Sequence, residues 1–105
     1  MIVEERIYTI QTGRVPEYLD LYERMGRKLQ MRILGNMLGY FQTDVGEPGS
    51  GIVHLWGYAD AADRAKRRAA LAQEPAWQDY LKACTPLILR IQNRLLVPTA
   101  FSPIR

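Results

Sequence analysis

The sequence predicts an α+β domain of order βαββαβ, a ferredoxin-like four-stranded antiparallel sheet carrying its helices on one face. Three observations predict it. Ile2 to Ile10 alternates with period two, and Val15 to Ile33 carries an apolar stripe at three- and four-residue spacing. Two further β-rich runs, Met37 to Thr43 and Ile52 to Tyr58, lie too close together for a helix to fit between them, so they should form a hairpin.

In the first strand Ile2, Glu4, Arg6 and Tyr8 alternate with Val3, Glu5, Ile7 and Thr9, so polar groups fall on both faces. Thr12-Gly13 breaks it. The stripe of Val15, Tyr18, Leu19, Tyr22, Met25, Leu29 and Ile33 then predicts one long amphipathic helix, with Pro16 in its first turn and Gly35-Asn36 at its end. Asp20 precedes Arg24, and Glu23 precedes Arg27, as acid-first pairs on the outer face. Gly26, in mid-helix, marks either a close backbone approach or a kink.

After the Gly46 to Gly51 turn and the third strand, Asp60 is the expected N-cap of the next helix, with Asp63 as its capping partner. Ala61, Ala62, Ala65, Ala69 and Ala72 form a small-residue face expected to lie against the sheet, and Arg64, Lys66, Arg67 and Arg68 read as a solvated face. Glu74-Pro75 restarts the chain as a short helix with Ala76, Trp77, Tyr80 and Leu81, closed by Thr85-Pro86. Ile91 to Val97 is the last strand, and residues 98–105 form an extended, proline-bearing tail.

The 105 residues, 48% of them hydrophobic, give room for one domain over residues 1–105 and one core. Nothing approaches the roughly 20 apolar residues that cross a bilayer, and the acidic start is unlike a secretory signal, so a cytoplasmic protein with no membrane partner is expected. One cysteine, Cys84, and one histidine, His54, leave no internal disulfide and no metal-ligand cluster. The 14 basic and 11 acidic residues are interleaved, which argues against a nucleic-acid partner. There is no phosphate-cradling glycine loop and no Ser-His-Asp order, so no cofactor is expected, and nucleotide chemistry and hydrolysis have no support.

Parity turns Val53 and Leu55 towards the helices, and His54, Trp56 and Tyr58 towards the uncovered face beside Arg6, Tyr8 and Tyr40. Such an aromatic face marks an interface or a ligand site, and pairing two of them buries both, hence a homodimer. His54 alone titrates near neutrality without perturbation. In an enzyme reading it is the general base, with Arg6 and a tyrosine hydroxyl stabilising an enolate or phenolate. In a plainer reading His54 and Arg6 bond across the dimer and the rings are core. Arg94 is a rim candidate whose facing depends on register, and Cys84 reads as a buried, inert thiol.

Arg6-Ile7-Tyr8-Thr9, Val53-His54-Leu55-Trp56-Gly57-Tyr58, Asp63-Arg64, Pro75-Ala76-Trp77 and Phe101-Ser102-Pro103 together resemble the NIPSNAP domain over nearly the whole chain. The resemblance implies a dimeric α+β barrel, two ferredoxin-like sheets facing each other with the helices outside. It supplies no reaction. Eukaryotic members, tied to mitochondria and vesicle traffic, carry added targeting sequence; this chain is expected to be a stand-alone bacterial-type member. The same barrel is similar to that of cofactor-free monooxygenases and small isomerases. The first expectation is therefore a homodimer binding a small apolar or aromatic molecule between the two sheets, at Arg6, Tyr8, Tyr40, His54, Trp56 and Tyr58. The alternatives are a cofactor-independent monooxygenase or isomerase using His54, and a protein-interaction scaffold. The tail is expected to cross the partner subunit or the barrel mouth.

Overall fold

A computed structural model describes residues 1–105 throughout. Strand β1 (Ile2–Ile10) leads into α1 (Val15–Leu21), a π-helical turn (Tyr22–Gly26) and α2 (Arg27–Leu34). The hairpin of β2 (Met37–Gln42) and β3 (Gly51–Tyr58) follows, then α3 (Ala61–Ala72), α4 (Pro75–Cys84), a 3-10 turn and β4 (Ile88–Leu96). The strands form one sheet in the order β2-β3-β1-β4, with every neighbouring pair antiparallel. This is the ferredoxin-like arrangement that the element order predicts, and at 39 × 35 × 19 Å it is two layers thick. No helix is long and apolar enough to cross a membrane.

The expected caps form. Asp60 accepts from the Asp63 backbone N–H at 2.8 Å, and the Asp63 carboxylate accepts from the Ala59 N–H at 3.0 Å. Gly35, at φ 91°, ends α2 in a conformation that glycine adopts without a Cβ penalty.

The single long helix expected over the first stripe is interrupted. Its buried residues are Tyr18, Tyr22, Gly26, Gln30 and Leu34, each four after the last. In an unbroken α-helix each four-residue step overshoots a full turn by about 40°, so the series would drift by about 160° from end to end. The wider π-helical turn takes up part of that drift and keeps the series on the sheet side. Gly26 serves both of its expected purposes. It lies in the turn, and a Cβ there would come within 3.1 Å of the Tyr22 ring and 3.2 Å of the Tyr80 ring on α4.

The facing of β3 is the reverse of the sequence expectation. Ile10, Tyr18, Tyr22, Ile52, Tyr80, Cys84 and Leu87 make one buried cluster, and Leu34, Trp56, Tyr58 and Leu71 a second. Ile52, His54, Trp56 and Tyr58 therefore point into the helix layer, opposite Tyr8, Arg6, Glu4 and Ile2 on β1. By the same register Val53 and Leu55 share the open face with Val3, Glu5, Ile7 and Phe41, and with Arg94 and Leu96 on β4. Both parities of β3 are apolar, so alternation alone does not say which faces a helix. On the helix side Trp56 and His54 bond each other and pack against the rings of Tyr8 and Tyr40, whereas the aliphatic side chains need no partner.

The facing of α3 is also corrected. Leu71 is its buried residue, and Arg64, Arg67 and Arg68 share that inner stripe half-buried, whereas Ala61, Ala62, Ala65, Ala69 and Ala72 are exposed. The guanidiniums turn inward because acceptors wait there. Arg64 reaches Glu4, and Arg67 bonds the Ile33 carbonyl at 3.1 Å and Asp63 at 2.9 Å. Their aliphatic stems cover apolar surface on the way. Beyond β4 the apolar side chains of the tail stand out into solvent: Val97 is 80% and Phe101 87% exposed.

Candidate functional site

Between the two buried clusters runs a belt of charge. Glu4 is fully buried and accepts four hydrogen bonds: from Arg64 Nε at 3.1 Å and Nη2 at 2.7 Å, Arg6 Nη1 at 3.1 Å and Asn93 Nδ2 at 2.9 Å. Burial works to raise its pKa; the hydrogen bonds from Arg64 and Asn93 and the charges of Arg6 and Arg64 outweigh it and hold the carboxyl down to about 2. Arg6, anchored at one end by Glu4, donates from Nε to the Tyr8 hydroxyl at 3.1 Å.

His54 lies directly across from Arg6 in the β1–β3 ladder. Trp56, two residues on and so on the same face, donates its indole N–H to His54 Nδ1 at 2.7 Å. An indole nitrogen only donates, so Nδ1 is the acceptor and the neutral ring carries its proton on Nε2. Nε2 is buried and has no partner. Burial, with the Arg6 and Arg68 charges added and Glu4 opposing, lowers the His54 pKa to about 3. At neutral pH the ring is a hydrogen-bond donor in this geometry, not the general base expected from the sequence: one nitrogen is held by an N–H and the other is already protonated.

Tyr40 stacks on His54 at 4.6 Å between centroids and Tyr22 stacks on Tyr40 at 4.5 Å, a three-ring column from β3 across β2 to the π-helical turn. Tyr8 meets His54 edge-on at 4.9 Å. The Tyr18 and Tyr40 hydroxyls are 2.8 Å apart, and Tyr22 donates to Gln30 Oε1 at 2.6 Å. Burial pushes the Tyr18, Tyr22, Tyr40 and Tyr80 phenols up, so they serve as neutral donors and acceptors.

These groups wall a cavity of about 510 Å³ between the sheet and its own helices. Leu81, Leu89 and Ile91, all exposed, stand at its edge. The volume lies within the roughly 300–1,000 Å³ usual for small-molecule sites. Of the residues expected to form a site, Arg6, Tyr8, Tyr40 and His54 line this cavity. Trp56 stands behind it and orients His54. Tyr58 belongs to the second cluster with its hydroxyl buried and unpartnered, and Arg94 donates to Glu5 on the open face, outside this cavity. Cys84 lines the cavity as a buried thiol whose pKa burial raises, as an inert residue would.

Sequence reasoning missed Glu4, Arg64, Arg68, Tyr18 and Tyr22 as parts of the site. Two signals were available: the four-residue spacing of Tyr18 and Tyr22, and the three- and four-residue spacing that puts Arg64, Arg67 and Arg68 on the Leu71 side of α3.

The sequence profile of the NIPSNAP family matches residues 3–103. The Protein NipSnap of Drosophila melanogaster is 38% identical over 104 residues, which cover 97% of this chain and 36% of that protein. The chain spans about a third of the length of the curated relatives it matches, 35% of the zebrafish Protein NipSnap homolog 2, for example. A crystal structure of a NIPSNAP family protein from Agrobacterium tumefaciens superposes with a TM-score of 0.96 at 50% identity, covering 99% of this chain and 98% of that one. An antibiotic biosynthesis monooxygenase superposes with a TM-score of 0.64 at 13% identity over 94% of this chain and 99% of that one, a likeness of fold alone.

Proposed function

The chain belongs to the NIPSNAP family, and we propose that it binds a small aromatic or apolar molecule in the cavity between its sheet and its own helices, as a homodimer joined through the open faces of two sheets. The observation that carries the first half is the cavity itself. Six aromatic rings, those of Tyr8, Tyr18, Tyr22, Tyr40, Trp77 and Tyr80, line it together with His54, whose buried N–H lacks a partner. Such walls favour a flat, apolar body that stacks or meets ring edges. A dimer would then hold two such sites, one inside each subunit, rather than one between the sheets as the sequence suggested. The general-base alternative for His54 loses its support, because the nitrogen left by Trp56 already carries the proton.

The dimer is supported by the face opposite the cavity. Ile7, Val53, Leu55, Phe41 and Leu96 share it, on the side of the sheet away from the helix-packed clusters. A two-fold axis would set this patch against its own copy and remove both from water.

Two measurements test the proposal. Sedimentation equilibrium should return twice the 12.1 kDa chain mass; a monomer at micromolar concentration would defeat the dimer. Calorimetric titration with 2-naphthol should give saturable binding that Ile91→Trp, at the exposed edge, abolishes without lowering the melting temperature. No saturable heat with the unaltered protein would defeat the pocket reading.

A further inference from the structure

The charge on the cavity wall is one-sided. Two arginines of the covered side, Arg6 and Arg68, line it, and no aspartate or glutamate does; Arg90 meets its edge from β4, but its register opposite Thr9 sets its side chain on the open face. The nearest buried carboxylate, Glu4, lies behind Arg6 and is shared between Arg6 and Arg64. Glu4 is thus committed to Arg6 and Arg64 and has already accepted four hydrogen bonds, which leaves no carboxylate for Arg68. Arg68 makes no ion pair with any carboxylate of the chain, although its neighbours on α3 do: Arg64 holds Glu4 and Arg67 holds Asp63. On the same wall one buried polar atom lacks a partner, His54 Nε2, a donor. Leaving a buried donor unsatisfied costs about 1–3 kcal/mol, which an acceptor brought by a ligand would recover.

We infer that the molecule the cavity takes is an aromatic acid, with a flat ring system among the tyrosines and one anionic oxygen group, a carboxylate or enolate, set against Arg68 and the outer side of Arg6. The inference rests on the pocket reading and specifies its occupant. Arginine suits the task because its fork meets the two oxygens of a carboxylate at once, and a partly buried charge-assisted pair of this kind exceeds a neutral hydrogen bond roughly twofold in strength. The tyrosine hydroxyls, held neutral by burial, do not repel the anion.

The test compares two probes of one shape, 2-naphthoate and naphthalene-2-carboxamide, by calorimetry at pH 7.5. The naphthoate should bind about tenfold or more tighter, its advantage shrinking as sodium chloride is raised. Arg68→Gln should remove most of that advantage while leaving carboxamide affinity unchanged. Arg68 has no ion pair to lose, so the variant should melt with the unaltered protein; Arg68→Lys, which keeps the charge without the fork, should restore part of the preference. Equal affinity for the two probes, or a preference that survives Arg68→Gln, overturns the aromatic-acid assignment and leaves the pocket reading standing. Absence of binding by either probe overturns both.

Discussion

The two faces of this sheet differ in where their charge lies. The covered face, under the helices, holds Glu4, Arg6, Tyr8, His54, Trp56 and Tyr58 and so carries a buried carboxylate, a guanidinium and an imidazole. The open face holds Val3, Ile7, Val53, Leu55 and Phe41, with one ion pair, Glu5–Arg94. Ordinarily the buried side of a two-layer fold is the greasy one. Here the hidden side sets a buried charge belt and a cavity among its apolar clusters, while the open side carries aliphatic residues with few charges.

The largest effect expected on the covered face is that of Glu4→Ala. It leaves Arg64 and Arg6 without their shared carboxylate in the belt between the two clusters, and removing one partner of a buried ion pair typically costs about 3–5 kcal/mol. Urea unfolding should show the loss; a change below about 1 kcal/mol would mean that the belt is solvated and the contrast between the faces false. On the open face Leu55→Asp should act on assembly instead. A charge placed there should turn the assembled protein into monomers by sedimentation while each monomer keeps its far-ultraviolet circular dichroism, and loss of the fold itself would show that the face is core.

Acid sharpens the comparison next. An unfolded histidine takes up its proton near pH 6.5, whereas folded His54 does so at about 3. Between these values the unfolded state binds more protons, so the free energy of unfolding falls as the pH falls. Below about pH 4.5 Glu4 adds to the decline, because its folded carboxyl stays charged down to about 2. Denaturation curves at pH 7, 5.5 and 4.5 should show the loss, and His54→Phe should remove the part above pH 5; a flat profile from 7 to 5 would contradict the burial of a neutral ring. The smallest effect belongs to Arg94→Ala, expected to cost about 1 kcal/mol or less in the monomer, since the pair it breaks is largely exposed. A larger loss in the assembled protein than in the Leu55→Asp background would place Glu5–Arg94 inside the interface.

Much of the architecture was legible, since element order, hairpin and capping box rest on local signals. The grouping of Arg6, Tyr8, Tyr40 and His54 was legible as well, because parity and antiparallel pairing fix which residues share a face. What parity leaves open is which face the helices choose when both sides of β3 are apolar, and that choice decided whether the site lay between sheets or under helices. Glu4 and Arg64 meet across 60 positions of sequence, with no local pattern to join them. The tautomer of His54, by contrast, was within reach of sequence: residues two apart in a strand share a face, so an indole N–H at Trp56 stands within range of the imidazole.

The π-helical turn makes chain length itself a constraint. Each residue of an α-helix turns the chain by about 100°. Removing one residue between Tyr22 and Gly26 would leave seven steps from Tyr22 to Gln30, about 700° of a continuous α-helix and so within about 20° of two full turns, and Gln30 and Leu34 would stay on the sheet side. Adding one would turn them about 100° away and take the Tyr22–Gln30 bond with them. Residues 43–50, which only connect β2 to β3, carry no such phase. Length changes among chains of this fold should therefore gather in that connection, and the first helix should accept only the loss of the one extra residue that its π-helical turn holds.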